Sequence, residues 1–109
     1  MKTPFVKMHG NGNDFVIIDN IKQNFKKDKT LIKKITNRKI GIGCDQLILI
    51  EKSDEYDAFM RIYNNDGSEA EMCGNAARCV ASLLMAGTKK TEICIAVSYT
   101  HLTLPTIRL

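Results

Sequence analysis

A chain of 109 residues, 44% of them hydrophobic, has room for one modest core and not for two full domains. No apolar run is long enough to span a bilayer, and no apolar stretch follows Lys2 and Lys7 as a signal peptide would require. A cytoplasmic setting without a membrane partner is therefore expected. The net charge of +4 is unevenly placed: eight of the 16 cations fall within residues 21–40 against Asp28 alone, so the remainder carries −3.

Taken in order, residues 4–9 alternate and predict a strand, and Phe15 to Ile18 a β-branched second one. Between them, Gly10 to Asp14 reads as a hairpin loop, longer and more polar than a tight turn needs and suited to ligand contact. Its Gly-x-Gly is weak as a nucleotide signal, because a strand follows it. Residues 21–29 read as polar linker. Thr30 is a candidate cap for a helix whose Leu31, Ile32, Ile35 and Thr36 form one inward stripe with lysines outward. That makes the basic run a solvated helix face, with no aromatic residue but Phe25 to suggest nucleic acid.

Gly41-Ile42-Gly43 closes that helix. Gln46 to Glu51 has little alternation and predicts a strand covered on both sides. Lys52 to Asp57 turns, Ala58 to Tyr63 is another strand, and Asn64 to Gly67 is a strong turn signal. Ala76, Ala77, Val80, Ala81, Leu83 and Leu84 predict a mostly buried helix, with Gly87 as its C-cap. Glu92 to Val97 is a last strand. The sum is an α+β domain, an antiparallel or mixed sheet curled around a central buried helix. Residues 98–109, Thr- and Leu-rich with no segment left to pair with, read as a non-native tail resembling translated sequencing adapter. The domain is placed at residues 1–97, and no function is given to His101.

Cys44, Cys73, Cys79 and Cys94 show no CxxC pair and no zinc-like grouping with His9 or His101, so reduced thiols and no metal are expected. Cys73 just precedes a buried helix, where unpaired N–H groups and the helix dipole favour an anion and lower a thiol pKa. A set of amides, Asn13, Gln46, Asn64 and Asn75, falls at loops. A cysteine hydrolase would need a base, for which His9 is the one candidate outside the tail. A small buried hydrophobe is the plain alternative for Cys73, and suits Cys79, Cys44 and Cys94 better.

KMHGNGNDFVIID, NRKIGIGCDQLILIE and FMRIYNNDGSEAEMCGNAARC, in that order and spacing, resemble the N-terminal half of diaminopimelate epimerase over roughly residues 4–97. The resemblance implies one of two pseudo-symmetric α+β domains closing over a substrate, each supplying one cysteine. It implies a cofactor-independent inversion of one α-carbon of LL-diaminopimelate to the meso form, and a homodimer. Cys73 matches the catalytic cysteine of this half. Asn13, Gln46 and Asn64 match positions that hold the substrate's carboxylates and amines, and Gly74 and Asn75 the helix start beside the reacting α-carboxylate. The second domain, with the second cysteine, is missing, and the chain alone is expected to be inactive. Asn11, Cys44 and Ala76 depart from residues common in the family. The alternatives are another amino-acid racemase of this duplicated fold, such as a proline-racemase-like protein, and a non-enzymatic basic binding module.

Overall fold

The structure, a computed structural model, describes residues 3–86, 88–98 and 100–105. Among the described residues, seven strands form one mixed sheet in the order β1-β2-β3-β4-β6-β7, with the short β5 on β4. The strands are β1 (Val6–Gly10), β2 (Asn13–Asp19), β3 (Gln46–Glu51), β4 (Ala58–Asn64), β5 (Glu69–Ala70), β6 (Glu92–Val97) and β7 (Thr100–Pro105). Helix α1 (Lys29–Thr36) joins β2 to β3, and α2 (Gly74–Met85) joins β5 to β6. β2 and β3 are parallel, as are β4 and β6; the other pairs are antiparallel.

The two helices cover opposite faces, and the strand directions explain why. β4 and β6 run opposite to β2 and β3, while both crossovers advance in the same direction across the sheet. Two crossovers of one hand must then place their helices on opposite sides, as the preference for right-handed units demands. Phe15, Ile17, Ile48, Ile50, Met60 and Ile62 face α2 and form one core with Ala76, Ala77, Cys79 and Val80. Val16, Ile18, Leu47 and Leu49 face the other way and pack on Ile32 and Ile35 of α1. β3 is thus apolar along both faces because both are covered, as its unbroken run predicted. Burying each such side chain contributes about 1.5–3 kcal/mol.

Helix α2 touches β1 and β2 at one side of the sheet and β6 and β7 at the other. Laid flat, the outer of six strands would stand about 24 Å apart, more than twice the width of a helix, which is about 10–12 Å. The sheet therefore curls, and α2 lies in its hollow. The expected α+β fold, a sheet curled around a central buried helix, is what the chain adopts. Small side chains at Ala76, Ala77, Cys79 and Ala81 let the helix sit close, each at most 7% exposed.

Three local expectations need correction, and one strand was not anticipated. The hairpin loop is as tight as such loops come: Gly10 pairs with Asn13, leaving Asn11 and Gly12 alone in the turn, with φ of 51° and 86°. Asn-Gly with both residues left-handed is the type I′ turn, whose twist matches that of the flanking strands. The cap of α1 is Asp28, not Thr30; its Oδ1 accepts the Thr30 N–H at 3.0 Å. β5 was not anticipated, two residues being too few for a pattern. The tail does find a partner, since β6 offers an open edge and THLTL alternates: β7 pairs antiparallel with β6 from Val97↔Thr100 to Glu92↔Pro105. The C-cap of α2 is Ala86; Gly87 lies outside the described residues, as does the side chain of His101.

Between α1 and β3 the chain doubles back on the end of the helix. Gly43 N–H donates to Ile35 O at 3.0 Å and Cys44 N–H to Thr36 O at 3.1 Å, serving carbonyls the helix leaves unpaired. Gly41 lies so close that a Cβ there would stand 1.9 Å from Lys34 O. Gly41→Ala is expected to cost about 1–3 kcal/mol through forced displacement, read as a lower urea midpoint. An unchanged midpoint would show that the loop has slack.

Candidate functional site

Along each strand the residues facing α2 recur at every second position. On β2 that row is Ile17, Phe15 and then Asn13; on β3 it is Ile50, Ile48 and then Gln46; on β4 it is Met60, Ile62 and then Asn64. All three apolar rows end in a carboxamide, and all three end at the same edge of the sheet, because β4 runs opposite to its neighbours. Each of these amides is half-buried. Gln46 and Asn64 lie directly opposite one another, and Gln46 Nε2 donates to Asn64 Oδ1 at 3.0 Å. Asn64 Nδ2 donates in turn to Ser68 Oγ at 3.2 Å, and Ser68 donates to Asp66 from both its N–H and its hydroxyl. Gln46 thereby keeps its carbonyl oxygen and one N–H for a ligand.

The start of α2 lies at this same edge. Asn75 Oδ1 accepts from Asn11 Nδ2 at 3.1 Å and from Arg78 Nη2 at 2.8 Å, tying the helix start to the hairpin turn beside Asn13. Asn11 thus makes a contact that an apolar residue in its place could not. Cys73 is the N-cap of α2, half-buried, and its sulfur makes no capping bond. The first backbone bond of the helix runs from Ala77 N–H to Cys73 O, so the N–H groups of Gly74, Asn75 and Ala76 precede the ladder. Around Gly74 there is open space. Cys73, Gly74, Asn75, Asn13, Gln46 and Asn64 therefore form one rim, running from the helix start across β2 and β3 to the end of β4.

The pairing of His9 with Cys73 that a hydrolase would require is not formed. Met8 packs toward α2, so alternation turns the His9 side chain to the opposite face, where Asp14 is its strand partner. Cys44 and Cys79 are buried, and burial pushes both thiols up. Cys44 is fully covered, which shields its thiol from oxidation.

Sequence reading missed a cluster on the reverse side of this rim. Arg38 holds Asp14 with both arms, Nη1 to Oδ2 at 3.0 Å and Nη2 to Oδ1 at 2.8 Å, and reaches Asp45 Oδ1 at 3.0 Å. Lys7 pairs with Asp14 at 2.9 Å and donates to Gly43 O. The Arg38 fork holds the Asp14 carboxyl far below the usual range against the opposing effect of burial, with Lys7 and the Asp45 N–H assisting. The signal was present in alternation. If Asn13 and Gln46 face one way, the adjacent Asp14 and Asp45 must face the other.

A family model described as diaminopimelate epimerase matches residues 5–102. The diaminopimelate epimerase of Carboxydothermus hydrogenoformans is 60% identical over 80 residues, covering 71% of this chain and 29% of that protein. That of Acidiphilium cryptum is 50% identical over 92 residues, covering 84% of this chain and 33% of its own length. The chain thus spans about a third of the length of the curated relatives it matches. Among solved structures, a phenazine biosynthesis protein of the PhzF family from Bacillus anthracis superposes with a TM-score of 0.66 at 17% identity, over 94% of this chain and 34% of its own. A PhzF-family protein from Enterococcus faecalis gives 0.64 at 11% identity, over 88% and 35%. At such identities these two likenesses speak to fold alone.

Proposed function

Because the chain belongs to the diaminopimelate epimerase family, we propose that it supplies one face of a cofactor-independent amino-acid epimerase interconverting LL- and meso-diaminopimelate. The observation that carries this reading is the termination of three inward apolar rows in Asn13, Gln46 and Asn64, at the edge where Cys73 begins α2. Half-buried carboxamides beside a core are a cost to folding unless something bonds them. A zwitterionic amino-acid end supplies both donors and acceptors to do so.

In this reading the distal end of diaminopimelate lies against Asn13, Gln46 and Asn64, each amide serving an ammonium through its oxygen or a carboxylate through its nitrogen. The reacting end lies over the start of α2. There the Cys73 thiolate takes the α-proton, and a thiol from a second domain returns a proton to the opposite face. As charge builds on the α-carboxylate, the N–H groups of Gly74 and Asn75 stabilise it, already aimed and needing no reorganisation. Orientation is what makes a thiolate of moderate basicity sufficient against a weak carbon acid. The setting is the cytoplasm, where the thiols stay free, and the whole enzyme is a homodimer. The reading rests on residues 1–97 and gives no role to residues 98–109.

Nucleic acid and membrane have no part in it. Lys29, Lys33 and Lys34 are exposed on α1, and the last two sit in its final turn, where the helix dipole favours cations. No helix among the described residues is long and apolar enough to cross a membrane. To test the substrate, residues 1–97 are joined to all of the Carboxydothermus relative that follows its matched segment and assayed for inversion of LL-diaminopimelate, proline, glutamate and alanine. Turnover of diaminopimelate alone is expected, since the other three have no second amino-acid end to fill the amide rim. Preferred turnover of any of those three would move the assignment to another racemase of this fold.

A further inference from the structure

Arg38 joins two carboxylates that are each next in sequence to an amide of the rim: Asp14 follows Asn13, and Asp45 precedes Gln46. Since neighbours on a strand face opposite ways, a bond between the aspartates on the α1 side sets the separation of the amides on the α2 side. The ladder between β2 and β3 begins at Phe15↔Gln46, so the Asp14–Asp45 level lies one step beyond it, at the end where parallel pairing frays. There the two residues exchange bonds reciprocally. Asp14 N–H donates to Asp45 Oδ2 at 3.1 Å, and Asp45 N–H donates to Asp14 Oδ1 at 2.9 Å and to Asp14 O at 3.1 Å. Arg38 closes the clasp from outside, and the loop that carries it is itself folded back on α1.

From this we infer that Arg38 is a positioning residue for substrate binding: by clasping Asp14 to Asp45 it holds Asn13 and Gln46 at the spacing that grips the distal end of the substrate. The inference rests on the reading of those two amides given above. Stability is a poor alternative explanation. The Arg38 side chain is 57% exposed, so solvent screens much of what its ion pairs would add to folding. What the fork supplies is geometry, two parallel bonds to one carboxylate and a third to the next, which a lysine cannot reproduce.

The test uses the same fusion of residues 1–97 to the remainder of the relative. Arg38→Gln is expected to raise KM for LL-diaminopimelate about tenfold, with kcat within about threefold and little change in melting temperature. Arg38→Lys should fail to restore KM, whereas a role that needs only a positive charge would be rescued. In an Asn13→Ala/Gln46→Ala background, Arg38→Gln should add less than about twofold, because nothing is left to position. A full tenfold loss there, or rescue by lysine, overturns the inference while leaving the functional reading intact. An unchanged KM in Asn13→Ala/Gln46→Ala itself takes down the reading of the amides, and this inference with it. Should Arg38→Gln not fold, Arg38→Lys carries the comparison.

Discussion

Cys73→Ser, in residues 1–97 joined to the remainder of the Carboxydothermus relative, is expected to lower kcat/KM by about 10²–10⁴-fold while the protein melts no earlier than before. The two effects point in opposite directions, which is what makes the substitution informative. A hydroxyl at this place cannot give up its proton near neutral pH as a thiol can, so the base is lost. Serine is, however, among the favoured N-cap residues, and Cys73 is an N-cap whose sulfur makes no capping bond. Its Oγ is free to accept from the first turn of α2, where a Cys73 sulfur does not. A cysteine that served only as a small apolar filler would behave otherwise, losing packing and stability with little change in turnover. Cys79→Ala is the matching control. Cys79 is 7% exposed, in the core between α2 and the sheet, and its loss should lower stability and spare kcat. Near-normal turnover by Cys73→Ser would remove Cys73 from its role.

How far the fold could be read in advance depended on whether the deciding pattern was local. β3 was read as covered on both faces because six residues in a row carry that signal, and two cores meet on it. The helix α2 was legible from its small apolar residues, and its burial from how few polar residues interrupt them. The hairpin turn was misjudged although Asn-Gly stood in the sequence, because the surrounding polar residues were counted as loop when Asn13 and Asp14 already belong to β2. The cap of α1 was placed two residues late, since Asp28 could be linker or cap until the helix start was known. The rim was legible only as separate amides. That Asn13, Gln46 and Asn64 face one way at one edge follows from strand order and register, which no single segment contains. The Asp14–Arg38–Asp45 clasp joins residues 24 and 7 positions apart, and only the folded loop brings them together.

The 109-residue chain on its own should show no measurable exchange at the α-carbon of diaminopimelate. Inversion needs a base on one face of that carbon and an acid on the other. The rim described here offers Cys73 alone: Cys79 lies beneath it on the same helix, Cys44 is buried among residues facing α1, and Cys94 stands on β6 near Thr103. The rim is also open, with empty space around Gly74. Water there weakens each charge–dipole interaction that the helix start could offer, since the same contact is worth several times more in a closed site than in solvent. Two copies meeting face to face would bring two Cys73 thiols to one substrate. Such a pair would repeat the distal-end amides on both sides and supply nothing for the α-amino group, so it is not expected to rescue the reaction. The measurement is solvent-deuterium incorporation at Cα of LL-diaminopimelate by the purified chain, its Cys73→Ala variant and the fusion with a second half. Exchange confined to the fusion is the expected result. Exchange by the short chain well above its Cys73→Ala control would overturn the expected inactivity; the two-thiol mechanism would fall only if that exchange came with conversion to the meso form, since one thiol can exchange the proton with retention.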